Sequence, residues 1–386
     1  MRTINFIIFF AIVLAVYGSV NYYIFIRGWQ SIPSGSWLRA YYIPVFLFVS
    51  LSFIAGRIIE NFWVSKPCEL LVWVGSFWLG AMLYFFLIVL FLDIIRFTNF
   101  IIPFYPEFIT VNYEKTKGII ALISIVAVST IIVTGYINAL NPRVKSLELD
   151  INKSAGERES LNIVFASDIH LGTIVDRKRF DKIAEMINSL KPDIILLPGD
   201  IVDEDIKPVI RDNIGESLKS LKAPLGVYAC NGNHEHIGGV EKADSYLRDH
   251  DIVVLRDSVI KINDEFYLAG REDRDARRFS GNGRKSIEEL LNNIDKNYPV
   301  ILMDHQPFAL EQASSNGIDL QISGHTHNGQ LWPLNYITNA VYELSWGYIR
   351  KNNTHFYVSS GIGTWGPPMR SGNRPEIVDL KLNFRE

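Results

Sequence analysis

Four stretches of this chain hold no charged residue: positions 4–26, 40–56, 70–92 and 118–142, which are 23, 17, 23 and 25 residues long. The hydrocarbon core of a bilayer is about 30 Å thick and takes about 20 apolar residues of helix to cross. Inside it, only helices and closed barrels can satisfy their own backbone. Runs of this length therefore predict four transmembrane helices, and no other feature restricts the fold as strongly. The second run is the shortest, and its flanking residues Trp37 and Arg57 can extend it. The first run is too long for the apolar part of a signal peptide and has no small-residue cleavage site after it, so it reads as a retained anchor. Trp29, Trp37, Trp63 and the aromatics at 97–105 fall near span ends, where amphipathic rings prefer the interface. Transport pathways usually carry ionisable groups or broken helices within their spans. Here Pro44 and a few glycines are the only interruptions, so residues 1–145 read as an anchor and substrate platform rather than a conduit.

Charge divides the chain at the same place. Residues 1–145 hold ten Lys/Arg and five Asp/Glu; the remainder holds 28 and 36, and all eight histidines lie beyond position 169. Chemistry that needs imidazoles and carboxylates must sit in the second block. Four spans put both chain ends on one side. Arg2, Arg57, Lys66, Arg143 and Lys145 flank that side, and Arg27, Arg39, Arg96, Lys115 and Lys117 flank the other. Lys153 and Arg158 tip this even balance toward a cytoplasmic second block by the positive-inside rule. The two cysteines, Cys68 and Cys230, belong to no C-x-x-C pattern, which fits a reducing compartment. An acidic second block without a basic stripe excludes a nucleic-acid partner, and nothing calls for an obligate protein partner.

Residues 146–160, which include a polar run from 152 onward, read as a linker, and 161–386 as one domain. In that domain short apolar runs alternate with helical periodicity. Strands are expected at 161–167, 193–198, 225–230, 252–255, 266–269, 300–303, 320–322 and 355–359, with helices at 176–190 and 209–221. Such alternation predicts an α/β domain, in which ligands collect beyond the carboxyl ends of strands. Five of these strands are followed by polar clusters: Asp168-Ile169-His170; Gly199-Asp200 with Asp203; Asn231-Gly232-Asn233-His234-Glu235; Asp304-His305; and Gly324-His325-Thr326-His327. Any one of them alone is commonplace, because a Gly-Asp turn or a capping Asp occurs widely. All five in one chain point to one shared metal site.

In this order the motifs resemble the calcineurin-like metallophosphoesterases, and the segment SSGIGTWGPPMRSGNRPEI at 359–377 resembles the bacterial membrane-associated branch of that family. Pro198 and Asn328 depart from the usual pattern, but neither is a ligand position. The resemblance implies an αββα sandwich behind the four-helix anchor. It also implies that Asp168, His170, Asp200 and His327 hold one divalent ion and Asp200, Asn233, His305 and His325 a second, with Asp200 shared. A donor set of nitrogen and oxygen without thiolate suits manganese, with iron or zinc as alternatives. Two such ions polarise a phosphoryl oxygen and lower the pKa of a shared water, which then attacks phosphorus in line. His234 is the expected proton donor to the leaving oxygen, and Asp203 its orienting partner.

Of the other histidines, His236 reads as a solvated loop residue, His250 as surface and His355 as structural. Among the arginines of the loop at 271–285, Arg271 and Arg274 are candidates to hold a second phosphate, as is Arg370 near the C-terminus. The segment LWPLNYITNAVYELSWGYI at 331–349 is rich in aromatics and follows the histidine pair directly; it reads either as a core insert or as an interfacial segment. Anchor and aromatics together predict hydrolysis of a lipid-linked phosphate or pyrophosphate in the cell membrane. The alternatives are a tethered phosphodiesterase of soluble nucleotides or small phosphoesters and, further off, an inactive metal-binding sensor or scaffold.

Overall fold

The computed structural model describes residues 2–385 apart from 61, 280 and 282. It divides into two compact units, residues 1–135 and 136–386. The helices of the first unit are α1 (Arg2–Ser31), α2 (Leu38–Glu60), α3 (Lys66–Ile101), α4 (Glu107–Val111) and α5 (Tyr113–Ala139), the last running on into the second unit. α1, α2, α3 and α5 are long and apolar enough to cross a membrane. α3 outruns its charge-free stretch and takes in Asp93, which pairs with Arg27 at 2.7 Å and Arg96 at 2.8 Å and accepts a hydrogen bond from Tyr23. α2 and α3 cross so closely that a Cβ on Gly75 would lie 2.1 Å from the backbone nitrogen of Phe53.

The strands of the second unit are β1 (Arg143–Ile151), β2 (Ser160–Phe165), β3 (Ile194–Pro198), β4 (Val227–Cys230), β5 (Val253–Val254), β6 (Ser258–Ile262), β7 (Phe266–Gly270), β8 (Val300–Met303), β9 (Leu320–Ser323), β10 (Gly347–Lys351), β11 (Thr354–Val358) and β12 (Glu376–Phe384). The helices used below are α6 (Arg177–Ser189), α7 (Lys207–Arg211), α8 (Gly215–Leu218), α9 (Asn233–Gly238), α10 (Val240–Arg248), α11 (Ala276–Phe279), α12 (Ile287–Leu290), α13 (Leu310–Ser315) and α14 (Asn335–Val341). The strands form two six-stranded sheets, ordered β1-β12-β2-β3-β4-β5 and β10-β11-β9-β8-β7-β6. β2, β3, β4 and β5 run parallel, as do β7, β8, β9 and β11.

Three apolar clusters define the layers. One, with Leu161, Ile163 and Phe165 of β2 facing Ile301, Met303 and Ile322, is the core between the sheets. A second packs α6, α8 and α10 on the first sheet through Phe180, Ile187, Leu218 and Leu247. The third packs α12 and α13 on the second sheet through Ile287, Leu290, Leu310 and Ala313. The result is the two-sheet mixed α/β sandwich expected of the second block.

Two of the segments expected from the sequence take another form. Much of the linker expected at 146–160 belongs to the sheet, because β1 pairs in parallel with β12 from Arg143 to Ile151. Leu149 and Ile151 turn into the inter-sheet core, with Leu147 packed against it. The alternation is real, but Glu148 and Asp150 on the solvent face hide it, and Lys145 puts a charge at the exposed start of the inward row. The single helix expected at 209–221 is two short ones, α7 and α8, interrupted where Asn213 takes φ +50°.

Candidate metal centre

Every polar cluster predicted at a strand end converges at the carboxyl edges of the two sheets. β2 delivers Asp168 and His170, β3 Asp200, β4 Asn233 and His234 at the start of α9, β8 His305, and β9 His325 and His327. The turns that present them are tight. Asp168, His170, Asp200, His325 and His327 all adopt left-handed φ between 48° and 71°. Non-glycine residues rarely do so, and such strain concentrates where a site must be held open. Asn328, of a residue type that tolerates that region, takes φ +45°. Two glycines make room: a Cβ on Gly324 would lie 2.2 Å from Asp168 Oδ2, and one on Gly232 2.2 Å from Asp200 Oδ1.

Backbone amides hold one oxygen of each aspartate. His325 N donates to Asp168 Oδ1 at 2.8 Å, and His234 N to Asp200 Oδ1 at 2.9 Å. The facing atoms are lone-pair donors to a cation. His170 Nε2 and His327 Nε2 are 3.1 Å apart, His305 Nε2 and Asp200 Oδ2 3.1 Å, and His325 Nδ1 and Asn233 Oδ1 2.8 Å. His170 Nε2 is also 3.9 Å from Asp200 Oδ2, and His327 Nε2 3.6 Å from Asp168 Oδ1. Two ligands at right angles about 2.1 Å from one ion stand about 3.0 Å apart, so these spacings suit shared cations. Three groups of donors could each hold one: Asp168, His170 and His327; Asp200, His305 and His325; and His170, Asp203 and His234.

Charge supports the same fit. Asp168 and Asp200 are buried, and among the described residues their ion-pair partners are histidines alone. Buried carboxylates in contact with histidines alone, with Arg370 only at Coulombic range of Asp168, call for another counter-charge. Burial and the charge of Asp200 raise the pKa of Asp168, against the pull of His305. Burial works against an ionised Asp200 as well, yet His305 and His234 hold it well below the usual carboxylate range. Burial, then His305, pushes His325 down to about 3, and burial with His170 and Arg370 pushes His327 well below its ordinary value. Neutral imidazoles are the ligating form.

His234 lies beside this array. Its Nδ1 is 3.2 Å from Asp203 Oδ1, and its ring meets His170 edge-on at 4.6 Å and Trp365 at 5.6 Å. Burial disfavours its protonation, but the charges of Asp200 and Asp203 outweigh that and raise it to about 9. Asp203 thus faces the imidazole rather than capping a helix.

The three arginines separate. Arg271 is buried, donating to Asp304 Oδ2 at 3.2 Å and to the Lys285 carbonyl at 3.1 Å. Arg370 is wholly buried; it donates to the carbonyls of Ser360 and Gly363 and to Asn373 Oδ1, and its Nη2 lies 3.2 Å from His327 Nδ1. Neither guanidinium is open to a substrate phosphate. Arg274 is exposed and stacks over Phe308 at 4.0 Å; Phe308 packs on Tyr342, which meets His325 edge-on at 6.0 Å. His236 is no solvated loop residue: it is buried and bound to Glu272 at 2.8 Å, and Glu272 in turn pairs with Arg256 at 2.6 Å.

The scaffold includes residues given no role above. Glu235 accepts from the amides of Gly232, Val202 and Asp200 at 2.8, 2.9 and 3.1 Å, stapling the Asp200 turn to α9. Its spacing of three from Gly232 at a helix start is the signal that could have found it. Asn373 donates to the carbonyls of His327 and Asn328 at 2.6 and 3.0 Å. Gln330 clamps the turn at 365–367 by bonding Trp365 and Pro367. Asn138, in the last turn of α5, donates to the carbonyls of Arg370 and Asn373 at 2.8 and 2.7 Å.

A two-sheet sandwich with histidines, aspartates and an asparagine gathered at its strand ends defines a metal-dependent phosphoesterase, and residues 161–329 match the family model of the calcineurin-like phosphoesterases. The chain belongs to that family. It is 34% identical over 274 residues to a zebrafish (Danio rerio) "transmembrane protein with metallophosphoesterase domain", covering 68% of this chain but 62% of that protein. It is 33% identical over 242 residues to an uncharacterized metallophosphoesterase of Aquifex aeolicus, covering 62% of this chain and 91% of that one. A Campylobacter jejuni metallophosphoesterase matches at 27% identity over 99% of this chain and its own full length.

Proposed function

We propose that this chain is a membrane-anchored hydrolase that cleaves a lipid-linked phosphate or pyrophosphate with two divalent cations, manganese first. The convergence of seven donors on adjoining positions, five of them buried and Asn233 and His325 half-buried, carries the reading. Asp168, His170, Asp200 and His327 would hold one cation, and Asp200, Asn233, His305 and His325 the other. Bound there, the pair would supply Lewis acidity toward a phosphoryl oxygen and a water ionised near neutral pH. His234, kept protonated by Asp200 and Asp203, gives its proton to the departing oxygen. Asp203 orients that imidazole. Arg274, alone of the three predicted arginines in being exposed beside the site, takes the second phosphate; Arg271 and Arg370 are spent inside the fold.

Three observations support a lipid substrate: four helices able to cross a bilayer, the exposed Trp365 beside His234, and the name of the zebrafish relative, which joins a membrane protein to this domain. The charge balance of the loops favours a cytoplasmic catalytic domain. The test is hydrolysis by the detergent-solubilised full chain with Mn²⁺, read by chromatography of the products, of a panel of long-chain lipid phosphates, lipid pyrophosphates, nucleotides including cyclic diesters, and sugar phosphates. Preference for the lipids by kcat/KM is expected. Preference for a soluble nucleotide would favour a merely tethered phosphodiesterase, and no turnover of any ester would leave a sensor or scaffold.

A further inference from the structure

The segment at 331–349 was open between a core insert and an interfacial one. α14, which it contains, has no buried residue. Tyr336, Ile337 and Val341 are 65%, 60% and 58% exposed, and with Ala340 they form one helical face. Trp332, in the turn that leads into the helix, is 52% exposed, and no charged residue occurs from 331 to 342. An amphipathic helix normally turns such a face to the core; this one turns it outward. Its position is fixed from behind. A Cβ on Gly329 would lie 2.3 Å from the backbone nitrogen of Asn335, and Thr326 Oγ1 donates to the carbonyl of Ser345. The helix is therefore held firmly with its apolar side outward.

The loop 370–373 says what covers that side. Trp332 N donates to Ser371 Oγ at 3.1 Å. The carbonyls of Arg370 and Asn373, on either side of Ser371 and Gly372, accept from Asn138 in the last turn of α5. The foot of α14 and the end of the fourth candidate span thus meet on one four-residue loop. A helix face that near the end of a bilayer-crossing helix, aromatic and aliphatic without charge, has the composition of an interfacial seat. Trp365 joins the same cluster through Gln330 and reaches His234.

We propose that α14 and Trp332 seat in the headgroup region of the bilayer that anchors the chain, bringing the mouth of the metal centre to headgroup depth. The inference rests on the hydrolase reading only for its purpose; the seat itself is independent of turnover. The partner is a lipid surface rather than a second protein, because the loop that holds Trp332 also holds Asn138, in the last turn of a helix apolar enough to cross a bilayer.

The test uses the full chain in phosphatidylcholine vesicles with a nitroxide at Ile337→Cys, and a control label at Lys191→Cys, in the loop entering β3 at the end of that strand remote from Asp200. Cys68 and Cys230 are buried, so each label reports one site. Collision with oxygen and with a water-soluble nickel chelate gives depth. The label at 337 is expected to favour oxygen and exclude nickel, while the label at 191 shows the reverse. Equal nickel access at both positions would overturn the proposal, as would shielding of 337 from both reagents that grows with protein density and marks a contact between copies. Hydrolysis of bis(p-nitrophenyl) phosphate by the labelled chains checks that the fold is intact. A seated label with no lipid turnover would sink the substrate reading alone.

Discussion

Where the catalytic unit begins can be tested by two truncations. No predicted site residue precedes Asp168, so removing 1–145 leaves the entire site in the sequence. The structure says that this cut is too deep. It takes away Asn138, which holds the carbonyls of Arg370 and Asn373, and Ala139, whose carbonyl accepts from half-buried Arg179 at 3.0 Å. It also takes Arg143, which lies 3.6 Å from the fully buried carboxylate of Glu376. Neutral hydrogen bonds contribute about 0.5–1.5 kcal/mol each and charged ones about 1.5–3, so the first three bonds together account for about 2.5–6 kcal/mol. Arg143 is partly exposed, so its loss adds less than the roughly 3–5 kcal/mol of a broken buried pair. Against a total stability of about 5–15 kcal/mol, the shorter chain should unfold at a much lower urea concentration. A chain starting at residue 136 keeps all of these groups. Urea midpoints of the two purified domains, with hydrolysis of an activated phosphodiester, provide the assay. Coincident midpoints would refute the reasoning and return the boundary to 145.

Three further outcomes are expected. His234→Ala should bind metal as the parent does yet lose about 10²–10⁴-fold in turnover, less for nitrophenol esters than for alkyl esters; an equal loss for all leaving groups would remove the proton-donor role. Arg274→Ala should raise KM for a pyrophosphate more than for a monophosphate while metal binding stays unchanged, and an equal effect on both would free Arg274 of any role in holding a second phosphate. Arg370→Lys keeps the charge but not the fork of donors, and should weaken metal binding by about 10–100-fold, the scale of lost support around a ligating histidine. Calorimetric metal titration of the folded variant checks it, and an unchanged affinity would make Arg370 a packing residue only.

Much of this architecture was legible because local pattern and tertiary role agreed. Charge-free runs gave the long helices. Apolar runs such as 193–198 gave the central strands, and the polar groups behind them gave the site. The omissions have physical causes. β1 and β12 carry a charge at alternate positions on the solvent face, so their inward Leu and Ile residues do not stand out. β10 is a partly exposed edge strand whose Arg350 and Lys351 read as loop. Arg271 and Arg370 looked like phosphate ligands because sequence shows charge but not burial; Asp304 and a ring of carbonyls consume them. His236 was misjudged for the converse reason, since its partner Glu272 lies 36 residues away. Asn138 was invisible because a single amide at the end of an apolar run marks nothing until the fold brings residues 370–373 against it.

In the proposed mechanism one carboxylate, Asp200, serves both catalytic cations. Metal content and turnover, measured on the same preparations of the parent and Asp200→Asn, test it directly. The parent loaded with Mn²⁺ should hold two ions per chain by plasma mass spectrometry and release phosphate, as a paired-cation site requires; the variant should lose both bound metal and hydrolysis. A variant that keeps two ions and full activity, or a parent that turns over ester after its metal has been stripped by a chelator, would contradict the account.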